Sequence, residues 1–306
     1  MTTLLIAVFT LLAFPLYAQQ TEQGPDLQSS PASLTATYES GSGTVLSSAA
    51  NVSGRSVDFG IGFSAGGSGT YEDRRLTGPG GATMAYQLVN PLEDNAVVKD
   101  LSGASDGSGL IADSIRGGGP AGRTVSVPFD LMVPAGQVLA AGTYIDTVTL
   151  SLYKGLTGQD GLRDQAVIPI SLVVPPFVSV SVVDTGGVFD PAANQAHLDF
   201  GALRQGDARS LDVLVRTNVD YQVSIESMHR GFMAILATGD DSLVPYTLEV
   251  DGIPRDLSSG AAPIGSGSGP SATVGNRYGL TFAIGEVGDA TSGDYEDNLT
   301  VIVTAR

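Results

Sequence analysis

The chain has 306 residues, with 15 basic and 32 acidic side chains and a formal net charge of −17 at pH 7. Because this charge repels polyphosphate, it excludes a nucleic-acid binder that works by neutralising phosphates. The sequence has no cysteine, which excludes disulfides, thiolate nucleophiles and cysteine-ligated metal sites.

The first residues of the chain predict a secretory signal. An apolar run from Leu4 to Leu16 ends near Ala18 and is followed by polar residues, which is typical of such a signal and its cleavage site. At 13 residues the run is shorter than the roughly 20 residues of a membrane-spanning helix. No Lys or Arg precedes it, which departs from the usual pattern. We expect residues 1–18 to be a signal peptide; the alternative is a buried N-terminal helix.

The rest of the chain predicts short β-strands. Apolar and polar residues alternate in Tyr144–Leu152, Leu211–Val215 and Tyr221–Ile225, and these runs are rich in β-branched and aromatic residues. Forty glycines and sixteen prolines divide the chain into segments of this length. Short strands at such spacing indicate an all-β sandwich or barrel.

The chain also repeats itself, at offsets of 141, 160 and 151 residues. The matched segments are Val57–Gly60 with Leu198–Gly201, Met84–Val89 with Val244–Val250, and Gly142–Leu152 with Gly293–Val303. A common offset near 150 residues predicts two tandem copies of one sandwich domain. We place the domains at 19–175 and 176–306, separated by a stiff Pro-Pro linker at Val174–Phe177.

The two copies differ in their last strand. In the first copy, Tyr144–Leu152 is followed by Gln165–Val174, whose alternate residues are apolar, so this copy can close its own sandwich. Pro169 within that run suits an edge or a bulge. In the second copy the equivalent of Tyr144–Leu152 ends at Thr304, near the end of the sequence. We therefore expect the second sandwich to lack its last strand and to be unstable until another chain supplies one.

This asymmetry predicts a binding edge and a position in a polymer. The expected edge consists of Tyr295, Leu299, Val301 and Val303. The segment Gln19–Pro31 has a single large apolar residue, two prolines and no alternation, so it is unsuited to fill such a groove in a neighbour. A subunit that accepts a strand but donates none can occupy only the end of a fibre.

Several of these segments resemble the spore coat protein U domain, the pilin fold of archaic chaperone–usher pili. The best match is Pro134–Tyr153, and the supporting matches are Arg74–Val89, Leu198–Leu203, Arg209–Ile225 and Val244–Gly252. The absence of cysteine is a departure, because such subunits usually carry a cysteine pair. Two copies in one chain are similar to the two-domain tip adhesin of these pili.

The resemblance implies two immunoglobulin-like, pilin-type sandwiches that act as an adhesive pilus tip subunit. It implies a periplasmic chaperone, an outer-membrane usher and a neighbouring pilin subunit that donates a strand as partners. The implied location is the cell surface, reached through the periplasm. The alternative function is that of a freestanding secreted or cell-envelope binding protein.

The chemical motifs predict no catalysis, cofactor or metal site. The acidic loops 104–113 and 288–298 lack the ligand spacing of a calcium loop. Asp146 and Asp297 occupy matched positions in different copies, which favours turn capping over a catalytic pair. Tyr144 and Tyr295, beside them, suit the corner hydrogen bond known from immunoglobulin-like folds. We therefore expect the chain not to be an enzyme.

Loops of the first domain offer candidates for contact with a host or abiotic surface. They contain the apolar residues Leu92, Val97, Val98, Leu110 and Ile111. Exposed apolar clusters commonly mark contact sites. The alternative is that these residues pack inward.

Overall fold

The computed structural model describes residues 24–117, 122–237, 239–288 and 290–306, and nearly all of its regular elements are β-strands. The expected signal peptide, residues 1–18, lies outside the described residues. No helix in the described part of the chain has the length and hydropathy needed to cross a membrane. The all-β prediction is thus confirmed.

The first eleven strands form the first sandwich. They are β1 Asp26–Ser29, β2 Leu34–Thr37, β3 Thr44–Gly54, β4 Val57–Phe63, β5 Arg74–Thr77, β6 Thr83–Asn90, β7 Ala96–Val97, β8 Ile111–Ile115, β9 Arg123–Val133, β10 Gly142–Lys154 and β11 Leu162–Val174. Their order is β1-β3-β9-β6-β5-β10-β11-β2, with β7 on β6 and with β4 between β10 and β8. The order passes from one layer to the other at β6, because β5 pairs with its first half and β9 with its second.

The core of the first sandwich lies between these layers. Alternate residues of the strands point into it, as the two-residue period of a strand requires. The rings of Phe63 and Phe129 meet there with centroids 4.7 Å apart. Tyr86, Leu150 and Leu172 are also fully buried.

The remaining ten strands form the second sandwich. They are β12 Val178–Asp184, β13 Ala208–Thr217, β14 Tyr221–Ser227, β15 Phe232–Ile235, β16 Leu243–Val250, β17 Ile253–Arg255, β18 Ala262–Gly267, β19 Asn276–Ile284, β20 Tyr295–Glu296 and β21 Leu299–Ala305. One sheet has the order β12-β13-β19-β16-β15-β20, with β17 on β16, and the other has the order β18-β14-β21.

The two sandwiches share one pattern of strand pairing. In the first, β3 pairs with β9, β9 with β6, β6 with β5, β5 with β10, β10 with β4 and β4 with β8. In the second, the corresponding pairs are β13 with β19, β19 with β16, β16 with β15, β15 with β20, β21 with β14 and β14 with β18. The predicted repeats at Met84–Val89 and Gly142–Leu152 are therefore confirmed as β6 with β16 and β10 with β20–β21.

The repeat assigned to Val57–Gly60 and Leu198–Gly201 is wrong. The first segment lies in β4, whose counterpart by pairing is β14, whereas the second lies in the connection between β12 and β13 and is not a strand. A match over four residues, three of them identical, cannot show which partner a segment pairs with, because strand pairing depends on distant residues.

The segment between the sandwiches is held by Asn218, which is 3% exposed. Its side chain accepts a hydrogen bond from the Phe177 backbone N–H at 2.8 Å and donates one to the Pro175 carbonyl at 2.8 Å. Its carbonyl accepts a third hydrogen bond from the Ala141 N–H of the first sandwich at 3.0 Å. Asn218 thus bonds both to the Pro-Pro segment and to the first sandwich.

Candidate functional site

The strand β11 is an interior part of the first sandwich. It pairs antiparallel with β10 from Gly142 to Tyr153, and Ile170–Val173 pairs in parallel with β2. Its inward side chains Ile168, Ile170 and Leu172 are at most 1% exposed. Pro169 lies just before the stretch that β2 pairs with, so its missing N–H falls on an unpaired edge, as the sequence predicted.

The second sandwich has no described strand in the position of β11. The strand β21 pairs with β14 along one edge, from Leu299 to Ala305, and its other edge has no strand partner within the described residues. The apolar residues of β21 reflect this difference. Val148, Leu150 and Leu152 of β10 are fully buried, whereas their counterparts Leu299, Val301 and Val303 are partly exposed.

A cleft of about 1290 Å³ lies beside this open edge. Both sheets contribute apolar side chains to its lining, among them Val180, Leu211, Ile225, Val244, Leu280 and Phe282. Three of the predicted edge residues, Tyr295, Leu299 and Val301, also line it. Val303 packs against the same core cluster as these residues. The structure therefore brings the four predicted edge residues together along one open core.

The opposite wall of the cleft is the segment 194–203. Leu198, Phe200 and Leu203 are partly buried against the core of the second sandwich. The Arg209 guanidinium lies over the Phe200 ring, 5.7 Å from its centroid, and its Nε donates a hydrogen bond to the Asp199 carbonyl at 3.3 Å. This segment lies between β12 and β13 in the chain, as β2 lies between β1 and β3.

Sequence reasoning missed this wall because it assigned Leu198–Gly201 to a counterpart of β4. The place of this segment in the order of the chain could have identified it. The segment alternates apolar and polar residues and precedes the strand equivalent to β3, where the first sandwich has β2.

One aspartate in each sandwich anchors the start of the equivalent strand, which is β10 in the first sandwich and β20–β21 in the second. Asp146 accepts hydrogen bonds from the Tyr86 hydroxyl at 2.6 Å and the Gly67 N–H at 2.9 Å. Asp297 accepts the equivalent bonds from the Tyr246 hydroxyl at 2.5 Å and the His229 N–H at 3.0 Å. Burial is the main reason that the pKa of each tyrosine hydroxyl is raised. Both carboxylates thus accept hydrogen bonds from residues far away in the sequence, and they join distant segments of their own sandwich.

The tyrosine corners are confirmed as well. The Tyr144 hydroxyl donates to the Ala140 carbonyl at 3.0 Å, and the Tyr295 hydroxyl donates to the Thr291 carbonyl at 2.6 Å. Both bonds span four residues, so the same corner closes the loop before β10 and before β20. These contacts fix the start of the strand whose edge is open in the second sandwich.

The predicted surface loops divide into exposed and buried residues. Leu92 is 75% exposed in the turn between β6 and β7, and Val97 is partly exposed. Val98, Leu110 and Ile111 are at most 6% exposed, so the inward-packing alternative holds for these three. The reason lies in β4, whose glycines leave room for the loop 98–110. A Cβ at Gly62 would lie 2.5 Å from the Lys99 carbonyl oxygen, and one at Gly60 would lie 2.8 Å from Leu110 Cδ1.

The described residues contain no group of three or more His, Asp or Glu placed to hold a metal ion.

The comparison with family models found a match to the first sandwich. Residues 13–151 match the Spore Coat Protein U domain. The first sandwich is therefore similar to the spore coat protein U domain over these residues. The match ends inside β10, so β11 lies beyond the spore coat protein U region. This similarity agrees with the expectation that the chain is not an enzyme.

Solved structures similar to this chain include several fimbrial proteins. One is described as the CsuC-CsuE chaperone-tip adhesion subunit pre-assembly complex from archaic chaperone-usher Csu pili of Acinetobacter baumannii, at 14% identity, with 89% of this chain and 96% of that chain covered and a TM-score of 0.43. Another is the CupB6 tip adhesin of Pseudomonas aeruginosa, at 12% identity, with 92% and 94% covered and a TM-score of 0.38. The CooA pilin subunit of enterotoxigenic Escherichia coli covers 50% of this chain and 99% of its own, at 15% identity and a TM-score of 0.36. The comparison with curated proteins found no match.

Proposed function

We propose that this chain is the adhesive tip subunit of a chaperone–usher type pilus, and that a strand from a neighbouring subunit joins its second sandwich to the fibre. One observation carries the proposal. The strand β11 has no counterpart among the described residues of the second sandwich, where an apolar cleft borders the unpaired edge of β21. Completion of a sheet by an extended segment of another chain is an established mode of recognition.

The first sandwich supplies a template for the missing strand. Transferred to the second sandwich, the register of β11 runs antiparallel to β20–β21 and places its inward residues opposite Gly293, Tyr295, Asp297 and Leu299. On its other side the strand would run parallel to residues 198–203, as β11 does to β2. A strand in the cleft would therefore have a segment without a strand partner on each side, namely β20–β21 on one side and residues 198–203 on the other.

The energy of filling the cleft is large. Four inward residues of β11 are buried in the first sandwich, from Ile168 to Val174. At about 1.5–3 kcal/mol for each buried aliphatic side chain, an equivalent strand contributes roughly 6–12 kcal/mol. This is comparable to the whole stability of a typical domain, about 5–15 kcal/mol. An open cleft of this kind is also a site of aggregation, so export would require a periplasmic chaperone to cover it and an usher to exchange the cover for a fibre strand.

The N-terminal segment supports a position at the end of the fibre. In the described residues, Asp26–Ser29 already forms β1 and pairs with β3, with Leu27 opposite Val52. This segment is therefore part of its own sheet and is not free to complete a neighbour. The first sandwich needs no strand from outside because β11 closes it.

The ends of the strands give the orientation of the chain in the fibre. The strand β12 begins beside the end of β13, where β14 begins opposite the end of β21. The first sandwich is therefore attached at the end of the second sandwich opposite Gly293. A strand that fills the cleft in the register of β11 has its C-terminal end near Gly293. If it is the N-terminal strand of the neighbour, the rest of that neighbour follows at this end, and the first sandwich faces away from the fibre.

We predict that the chain from residue 19 takes up one synthetic peptide with the sequence of Gln165–Val174 during refolding. The first sandwich holds its own β11, so the peptide can enter only the second. Native mass spectrometry should detect a one-to-one complex. The matched control is the same peptide with Ile168→Asp and Leu172→Asp, which should not bind. If the chain unfolds cooperatively as a monomer and binds neither peptide, the result would favour the alternative function of a freestanding binding protein.

The adhesive role can be tested at Leu92, the most exposed of the predicted contact residues. Full burial of a leucine contributes about 1.5–3 kcal/mol, so Leu92→Asp should reduce adsorption of the protein to an uncharged apolar surface by about tenfold or more. The control is Val188→Asp, because Val188 is 82% exposed but lies in the second sandwich. Equal losses in both variants, or none in Leu92→Asp, would contradict the assignment.

A further inference from the structure

Two acidic side chains lie on the outward face beside the open edge of the second sandwich. Asp294 and Glu296 are both exposed, and both belong to the part of the chain that lines the cleft. Their counterparts in the first sandwich, Thr143 and Ile145, are uncharged. Neither carboxylate has a basic partner among the described residues.

The register of β11 shows what would face these two carboxylates. In the first sandwich, Val173 lies opposite Thr143 and Ser171 lies opposite Ile145. A strand in the same register places its last two outward side chains opposite Asp294 and Glu296. Directly opposed residues of antiparallel strands have Cβ atoms about 4.5–5.5 Å apart, and opposite charges at that distance stabilise the pair.

The other wall of the cleft does not supply the missing positive charge. Arg209 lies there, but its guanidinium is engaged with the Phe200 ring and with the Asp199 carbonyl. The Asp199 carboxylate lies on the same wall and accepts a hydrogen bond from the Gly201 N–H at 2.7 Å. This wall therefore carries one charge of each sign, whereas the β20–β21 edge carries two exposed carboxylates, Asp294 and Glu296, in addition to the buried carboxylate of Asp297.

We propose that the strand which fills this cleft carries Lys or Arg at its last two outward-facing positions, opposite Asp294 and Glu296. The inference rests on the proposed function and adds the chemistry of the partner to it. Inward apolar residues provide affinity for any groove of this type, and the two basic residues let the second sandwich select its own neighbour. An acidic residue at either position would place like charges directly opposite each other, which is destabilising.

The test uses three peptides based on Gln165–Val174, with positions 171 and 173 both changed to Lys, both to Thr or both to Glu. Each favourable pair is expected to tighten binding about 1.5- to 5-fold. Fluorescence anisotropy with the full chain should give the order Lys, Thr, Glu, with about tenfold or more between the extremes. In 1 M salt, where the screening length is about 3 Å, the differences should shrink.

The matched variant is Asp294→Asn with Glu296→Gln, which keeps the shape of the edge and removes its charge. It should bind the three peptides equally. If the unaltered chain binds all three equally, while a peptide with inward aspartates does not bind, the charge proposal is overturned and the strand-accepting function stands. If no peptide binds, the proposed function fails and this inference fails with it.

Discussion

A copy of residues 155–174 attached after Ala305 is expected to raise the unfolding temperature of the second sandwich by roughly 20 °C or more. The graft follows β21 as the loop and β11 follow β10, because Lys154 is the counterpart of Ala305. Burial of its four inward residues would contribute roughly 6–12 kcal/mol. Each kcal/mol shifts the midpoint of a domain of this size by about 2–8 °C. Hydrogen exchange with mass spectrometry measures the change in each sandwich separately.

The control graft carries Ile170→Asp and Leu172→Asp at the copied positions. It has the same length and linker but cannot enter the core, so the second sandwich should keep its original unfolding temperature. The first sandwich serves as an internal reference in both grafted chains, and its unfolding temperature should not change. Equal stability with either graft would mean that the cleft is not the place of a core strand, and it would remove the basis of the proposed fibre junction.

The sequence predicted the parts of the fold that depend on local pattern. Alternation in Tyr144–Leu152 and the recurrence of its motif near Tyr295 identified β10 and β20–β21. The corner hydrogen bonds of both tyrosines followed from the same motif, because each spans only four residues. The four residues of the open edge were predicted for this reason, since they lie on the motif itself.

What the sequence could not predict depends on contacts between distant residues. The burial of Leu110 results from the glycines of β4, about 50 residues away, which leave room for the loop above them. The role of Leu198 and Phe200 as a wall of the cleft depends on their position relative to β21, about 100 residues further on. A periodic pattern reports which residues share a face, but it does not report what covers that face.

The two sandwiches also show how the presence of one strand changes the burial of the strand beside it. The strand β10 and the pair β20–β21 have the same anchors at their start, namely a tyrosine corner and an aspartate bonded to a tyrosine hydroxyl. They differ in burial only along the edge that β11 covers in the first sandwich. The edge of β21 is thus held in a strand conformation before any partner arrives, which reduces the conformational entropy lost when a partner strand binds.

Replacing Arg74 with alanine is expected to destabilise the first sandwich by about 3–5 kcal/mol. Arg74 is fully buried, and its guanidinium donates hydrogen bonds to the carbonyls of Phe63, Ser64 and Val98 and to the Gln87 side chain. Burial is the main reason that its pKa is lowered, although arginine remains charged in proteins. Alanine would leave these acceptors buried without donors and would release the start of the loop 98–110. Urea unfolding should therefore show a midpoint lower by roughly 2 M, given about 1–3 kcal/mol per molar of urea.

The neighbouring residue provides the control for this prediction. Arg75 is next in the chain but is 42% exposed and pairs with Asp73 at the surface, at 2.8 Å. Because exposed ion pairs contribute about 0–1 kcal/mol, Arg75→Ala should leave the midpoint nearly unchanged. Arg74→Lys keeps the charge but loses the planar fork of donors, so it should fall between the two. If Arg74→Ala shifted the midpoint no more than Arg75→Ala, water would have to satisfy the three carbonyls, and the anchoring of the loop at Val98 would need another cause.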